Sequence, residues 1–183
     1  MINEIQELIK KGVGPSSSMP LKPTKFLDYL KDCKSILDIG CGSGRTMAYY
    51  KNNTEAKIFG LTLNEEDEKN SKRFGRVAYN DMHYIAKRCF ENIKFDGIVM
   101  LDVLEHSPIP FLLMEEVNKI LIDNGKVIIY MPSQDWIECD YHYSVLNERQ
   151  CMELFKRTGF EVVEKQILKK EEGYYKLRKI KSI

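Results

Sequence analysis

The sequence predicts an α/β fold in which a mainly parallel sheet lies between two layers of helices. Two observations carry that expectation. From residue 35 onward, apolar runs of strand length alternate with segments of helix length, the pattern of parallel strands joined by crossover helices. The first run, Ser35-Ile36-Leu37-Asp38-Ile39, opens into Gly40-Cys41-Gly42-Ser43-Gly44. A strand, a tight turn and a helix start in that order present bare backbone to a nucleoside-bearing ligand.

The elements follow in order. Residues 1–11 carry apolar side chains at 1, 2, 5, 8 and 9, which is helical spacing. Residues 12–20 are rich in Gly, Pro and Ser and read as a loop, and residues 21–31 read as a second helix with Phe26, Leu27 and Leu30 on one side. Strands are expected near 35–39, 57–61, 75–79, 95–101 and 125–131, with helices near 44–52, 64–73, 82–91, 109–122 and 147–157. Gly159-Phe160 closes the last helix and opens a strand over 161–168; a turn at 170–173 leads to a final antiparallel strand over 174–180. The division expected is one domain, 1–183, with an N-terminal helical cap (1–31) on a ligand-binding core (34–183).

Composition narrows the function classes. With 183 residues the chain can bury a core without staples. Hydrophobic content of 43%, charged content of 30% and a net charge of +1 are those of a globular protein with no global field favouring nucleic acid. Five scattered cysteines (Cys33, Cys41, Cys89, Cys139, Cys151) without a C-x-x-C pair argue for a reducing compartment and against a disulfide framework or a zinc site. No signal peptide and no membrane span are recognisable, so a cytoplasmic location is expected. No metal-ligand spacing is visible. The basic, aromatic end Tyr174-Tyr175-Lys176-Leu177-Arg178-Lys179 reads as an edge strand guarded by lysines rather than as a nucleic-acid contact.

The glycine turn discriminates between two ligand classes. A dinucleotide fingerprint needs G-x-G-x-x-G and an acid about 20 residues on. Here the third glycine comes early, at Gly44, Arg45 stands at the last glycine position, and the second strand ends Gly60-Leu61-Thr62-Leu63-Asn64 without an acid. The acid is inside the turn, at Asp38, where a carboxylate suits an ammonium or sulfonium and repels a pyrophosphate. This chemistry points to S-adenosylmethionine (SAM).

Leu37-Asp38-Ile39-Gly40-Cys41-Gly42-Ser43-Gly44 resembles motif I of the class I SAM-dependent methyltransferases. Phe95-Asp96-Gly97-Ile98-Val99-Met100-Leu101-Asp102-Val103-Leu104-Glu105-His106 resembles that family's fourth strand, and residues 121–132 its helix, turn, fifth strand and proline. The resemblance spans about residues 34–165. It implies a Rossmann-like three-layer αβα sandwich whose seven-stranded sheet ends in an antiparallel hairpin.

The resemblance also implies site residues. Asp38, Gly40, Cys41, Gly42 and Gly44 would lie under the methionine part of SAM. Leu61, Thr62 and Leu63 would meet ribose and adenine, with Thr62 standing where an acid usually takes the ribose hydroxyls. Asp81 and Met82 would meet the adenine edge, although Asp81 could equally cap the next helix. Leu101, Asp102 and Val103 would touch the methionine moiety. Glu105 and His106 would face the acceptor. His142, in a long connection with Trp136, Asp140, Tyr141 and Tyr143, would join them. His106 or His142 could take a proton from an acceptor hydroxyl, whereas His83 is expected on a helix away from the strand ends. The expected reaction is O-methylation of a small-molecule acceptor. Two rivals stay open: a non-catalytic methyltransferase-fold partner subunit and a nucleotide-dependent oxidoreductase.

Overall fold

The computed structural model describes residues 24–183. The expected helix over 1–11, the loop over 12–20 and most of the cap therefore lie outside the described residues. The rest of the cap is one helical turn, α1 (Thr24–Leu27), running into a 3-10 turn, Asp28–Leu30.

Seven strands form one sheet: β1 (Ser35–Ile39), β2 (Lys57–Thr62), β3 (Arg76–Tyr79), β4 (Phe95–Leu101), β5 (Leu121–Met131), β6 (Phe160–Ile167) and β7 (Gly173–Lys179). Their spatial order is β3-β2-β1-β4-β5-β7-β6. β1 to β5 run parallel, and β7 inserts antiparallel between β5 and β6. The expected Rossmann-like sandwich is the observed one. The order reverses between β1 and β4, so the ligand crevice of such a sheet lies at their carboxyl ends.

Five more helices cover the sheet: α2 (Arg45–Asn53), α3 (Glu65–Ser71), α4 (Ile85–Arg88), α5 (Pro110–Ile120) and α6 (Glu148–Arg157). Strand alternation divides the core. Leu37, Ile39, Ile98, Met100, Val127 and Ile129 face α4, α5 and α6. Ile36, Ile58, Val99 and Ile128 face α1 and α2 through Leu27, Met47 and Tyr50. Local signals set the helix ends. Asn64 caps α3 by accepting from Glu66 N and Asp67 N. Asn147 and Gln150 form a reciprocal capping box at α6. Asp96, of the Phe-Asp pair, accepts from Lys34 N at 2.8 Å and Ser35 N at 2.7 Å and so fixes the start of β1, at the edge opposite the crevice.

Three expectations are corrected. The helix near 82–91 is a 3-10 turn, Met82–Tyr84, followed by the short α4. The helix near 109–122 stops at Ile120, and β5 starts at Leu121 with Asn124 at φ 61°, taking in the expected turn. The basic C-terminal strand is not an edge: β6 is. Lys176 pairs with Glu164 at 2.7 Å and Arg178 with Glu161 across the β6–β7 ladder. Lys179 is buried and donates to the carbonyls of Asn118 and Leu121 at 2.9 and 2.8 Å, closing the end of α5. Among the described residues no helix is long and apolar enough to cross a membrane, and all five cysteines are free thiols.

Candidate active site

The site builds from the carboxyl ends of the central strands. Gly40, Gly42 and Gly44 all have positive φ (71°, 49° and 88°), a region that costs any residue with a Cβ. Gly40 N and Cys41 N both donate to Leu61 O, at 2.9 and 3.0 Å, so the turn is stitched to β2. A Cβ on Gly40 would stand 2.5 Å from Val103 Cγ2, and one on Gly44 would stand 2.7 Å from Phe74. Two of the three glycines thus serve close packing as well as backbone access. Cys41 turns its thiol inward, 3.8 Å from Ser71 Oγ.

Asp38 at the end of β1 is 3% exposed, and its Oδ2 has no hydrogen-bond partner. Burial pushes its carboxyl up to about 8. In the fold this group holds a proton that the unfolded chain has already lost, so stability falls as pH rises from the ordinary carboxylate value to about 8. Asp38→Asn is expected to flatten that fall in thermal melts and to weaken SAM binding about 10- to 100-fold by calorimetry. A variant with unchanged affinity would take Asp38 out of the ligand site.

At β2, Thr62 is buried and its Oγ1 accepts from Asn64 N at 3.2 Å, shaping the turn into α3. Leu61 packs in the core, and Leu63 is half-buried at the crevice edge. The end of β2 carries no acid: Thr62 is followed by Leu63 and Asn64.

Asp81, just beyond β3, does two things. Its Oδ1 caps the turn by accepting from His83 N at 2.9 Å and from the His83 ring at 2.7 Å. Its Oδ2 is buried without a partner. Burial favours the protonated acid, but the bonds from the His83 ring and backbone outweigh it and hold the group low. The other ring nitrogen, Nε2, lies 2.7 Å from Ser107 Oγ. Since Asp81 can only accept, Nδ1–H donates to it and Nε2 accepts the Ser107 hydroxyl proton. His83 therefore bridges the ends of β3 and β4, which corrects the expectation that it lies away from the strand ends. This Asp–His–Ser series is not a hydrolytic triad, because Ser107 is fully buried and no substrate reaches it. The sequence reading missed Ser107; its partner is 24 residues away and nothing local marks it. Met82 packs in the core.

Beyond β4, Asp102 adopts φ 54° and is half-buried, Val103 packs under Gly40, and a 3-10 turn, Leu104–His106, follows. The 132–147 connection folds back onto that turn. Tyr143 N and Ser144 N donate to Glu105 O at 2.7 and 3.0 Å, and Ser144 Oγ donates to Ser107 O at 2.7 Å. This brings His142 against His106, with ring centroids 4.8 Å apart at 79°. Glu105 is buried, and its Oε1 lies 4.0 Å from His106 Nε2. His106 Nδ1 donates to Tyr141 O, and His142 Nδ1 donates to Trp136 O, each at 3.0 Å. A carbonyl only accepts, so each imidazole keeps its Nε2 lone pair. Burial lowers the pKa of both rings, which favours the neutral form. The three expected acceptor-side residues, Glu105, His106 and His142, are thus together; Trp136 and Tyr141 stand exposed nearby, and Asp140 is exposed.

Two buried carboxyl oxygens, Asp38 Oδ2 near the end of β1 and Asp81 Oδ2 just beyond β3, have no hydrogen-bond partner in the protein. A ligand with an ammonium at one end and an exocyclic amine at the other satisfies both, and SAM has that shape.

Comparison with known proteins agrees with this geometry. Residues 17–165 match the family model described as a methyltransferase domain. The 24-methylenesterol C-methyltransferase 2 of Arabidopsis thaliana is 24% identical over 165 residues, 76% of this chain and 45% of that protein. The chloroplastic tocopherol O-methyltransferase of Arabidopsis thaliana is 26% identical over 105 residues, 54% of this chain and 30% of that protein. The chain thus spans less than half the length of these curated relatives. A 1,6-didemethyltoxoflavin-N1-methyltransferase from Burkholderia thailandensis, solved with S-adenosylhomocysteine, superposes with a TM-score of 0.69 at 18% identity, over 86% of this chain and 76% of that one.

Proposed function

This chain belongs to the methyltransferase domain family, and from that premise we propose that it transfers a methyl group from SAM to a small-molecule acceptor, and that the accepting atom is a hydroxyl oxygen. The observation that carries the reading is the pair of partnerless buried oxygens, Asp38 Oδ2 and Asp81 Oδ2, on the crevice that the glycine turn lines. When bound, SAM supplies a methyl carbon made electrophilic by its sulfonium.

The protein's part is alignment, exclusion of water and handling of a proton. Asp38 and the turn hold the amino-acid end. Asp81, kept ionised by His83, receives the adenine amine. Asp102 and Val103 floor the transfer position. The named relatives methylate carbon, oxygen and nitrogen in turn, so their names do not decide the acceptor atom here. The side chains favour oxygen. A hydroxyl must lose a proton as it attacks, and His106 and His142 offer uncharged Nε2 atoms at the acceptor side. The exposed Trp136 and Tyr141 suit a flat or apolar acceptor body.

A thermal-shift series with SAM, S-adenosylhomocysteine, NADH and NADPH tests the cofactor. At about 100 times its dissociation constant a ligand adds about 2.7 kcal/mol, and SAM and S-adenosylhomocysteine are expected to raise the midpoint by roughly 5–10 °C. No shift with either overturns the reading in favour of a non-catalytic methyltransferase-fold subunit, and a shift with NADH revives oxidoreduction. Once an acceptor is found, His142→Ala is expected to cut turnover by about 100-fold or more while SAM affinity stays unchanged. Equal turnover would remove His142 from the site.

A further inference from the structure

We infer that Glu105, His106 and His142 form a binding site for a divalent first-row transition cation at the acceptor side of the crevice. Their donor atoms all lie within 4.8 Å of one another. Atoms sharing an ion tetrahedrally at about 2.1 Å stand about 3.4 Å apart, so the ligand atoms must approach one another by up to roughly 1.4 Å, which rotation of the side chains supplies.

The surroundings are those of a ligand set. Each histidine donates Nδ1–H to a backbone carbonyl, Tyr141 O or Trp136 O, an outer bond that fixes tautomer and ring orientation in metal-binding histidines and leaves Nε2 as the ligand atom. Glu105 contributes a buried carboxylate, and its own carbonyl anchors the connection that carries His142 through Tyr143 N and Ser144 N. The clamp that assembles the site is therefore built from one of its ligands. Two imidazoles and one carboxylate suit manganese, iron, cobalt or zinc better than magnesium, which prefers an all-oxygen shell. Three protein ligands leave coordination positions open, and His106 is 31% exposed toward the acceptor side.

The role of the ion, though not the site itself, rests on the methyl-transfer reading. With the ion bound both Nε2 atoms are ligands and no longer bases, so the ion takes over their part: it draws the acceptor hydroxyl into place and eases loss of its proton to solvent. The bond that forms joins that oxygen to the methyl carbon; the bond that breaks is carbon–sulfur, and the sulfur keeps the electron pair. The acceptor class is then an oxygen chelator, such as a catechol or another vicinal oxygen pair.

The test is calorimetry of the chelator-treated full chain with manganese(II) and cobalt(II), with the visible spectrum of the cobalt form and a parallel SAM titration. One equivalent of ion is expected to bind, with ligand-field bands in the cobalt form. His142→Ala and His106→Ala are each expected to weaken the ion by about 10- to 100-fold and leave SAM affinity unchanged. Glu105→Gln gives a third variant where it folds. No saturable binding, or binding equally tight in both histidine variants, overturns the site. Ion binding without SAM binding keeps the site and sinks the methyl-transfer reading; the reverse sinks the site alone.

Discussion

Gly40→Val is expected to abolish SAM binding, a fall of at least about 100-fold in affinity, or about 2.7 kcal/mol. Two penalties combine. A Cβ at φ 71° is in the left-handed region, which costs an ordinary residue about 1–2 kcal/mol and a β-branched one more. The same atom would lie 2.5 Å from Val103 Cγ2, so either the turn or the segment after β4 must move. The double variant Gly40→Val/Val103→Ala separates packing from ligand approach. Removing the Val103 methyls is expected to recover part of the thermal midpoint, while calorimetry still finds no SAM binding. Wild-type affinity in the double variant would mean that Gly40 serves packing alone, and the ligand would have to be placed elsewhere.

His83→Ala is expected to cost about 3 kcal/mol of stability and to lower the melting temperature by about 6–12 °C. The imidazole satisfies a buried carboxylate on one side and a fully buried hydroxyl on the other, at 2.7 Å each; its loss leaves Asp81 Oδ1 with only the residue-83 backbone N–H and the Ser107 hydroxyl with only the bond it accepts from Ile109 N. Adding Ser107→Ala to His83→Ala is expected to cost little more, because the two act through one network. The pH dependence carries a signature. The lowered Asp81 pKa contributes stability above the unfolded carboxylate value, lost as pH falls through the folded one. Without the His83 ring only the residue-83 backbone N–H and the more distant Arg88 still oppose the burial penalty, and ionisation is less favoured. The gap between wild type and variant therefore widens as pH rises from acid toward neutral. A gap that is constant with pH would mean that His83 merely fills space.

The fold was legible because its signals are local. β1 and β4 lie where the apolar runs place them, β2 and β3 are displaced by one residue at one end, and α6 carries its cap in the sequence as Asn147 and Gln150. The expectations that failed concern long-range pairing. Residues 121–124 carry a turn signal, yet Leu121 pairs with Phe95 across an irregular register and is drawn into β5. The lysines of β7 read as edge protection, since nothing local tells a strand which neighbours it will have. The candidate site divides the same way. Asp38, the glycine turn, Asp81, Glu105 and His106 are each part of a local pattern. His83 is a lone histidine in sequence, and its meaning depends on Ser107. The meeting of His106 with His142 depends on how the 35 residues between them, of helix, strand and connection, fold back, which no spacing rule gives.

The placement of β7 also has a consequence for synthesis. Of the seven strands described, the one that comes last in the chain fills the gap between two that precede it. Until residue 179 has left the ribosome, β6 has no neighbour to pair with, and β5 offers an open edge next to Val127 and Ile129. Lys179, which closes the end of α5, arrives at the same late moment. This sheet is completed by insertion rather than by growth at its rim, so before β7 is in place the chain carries an open strand edge of the kind that pairs with other chains.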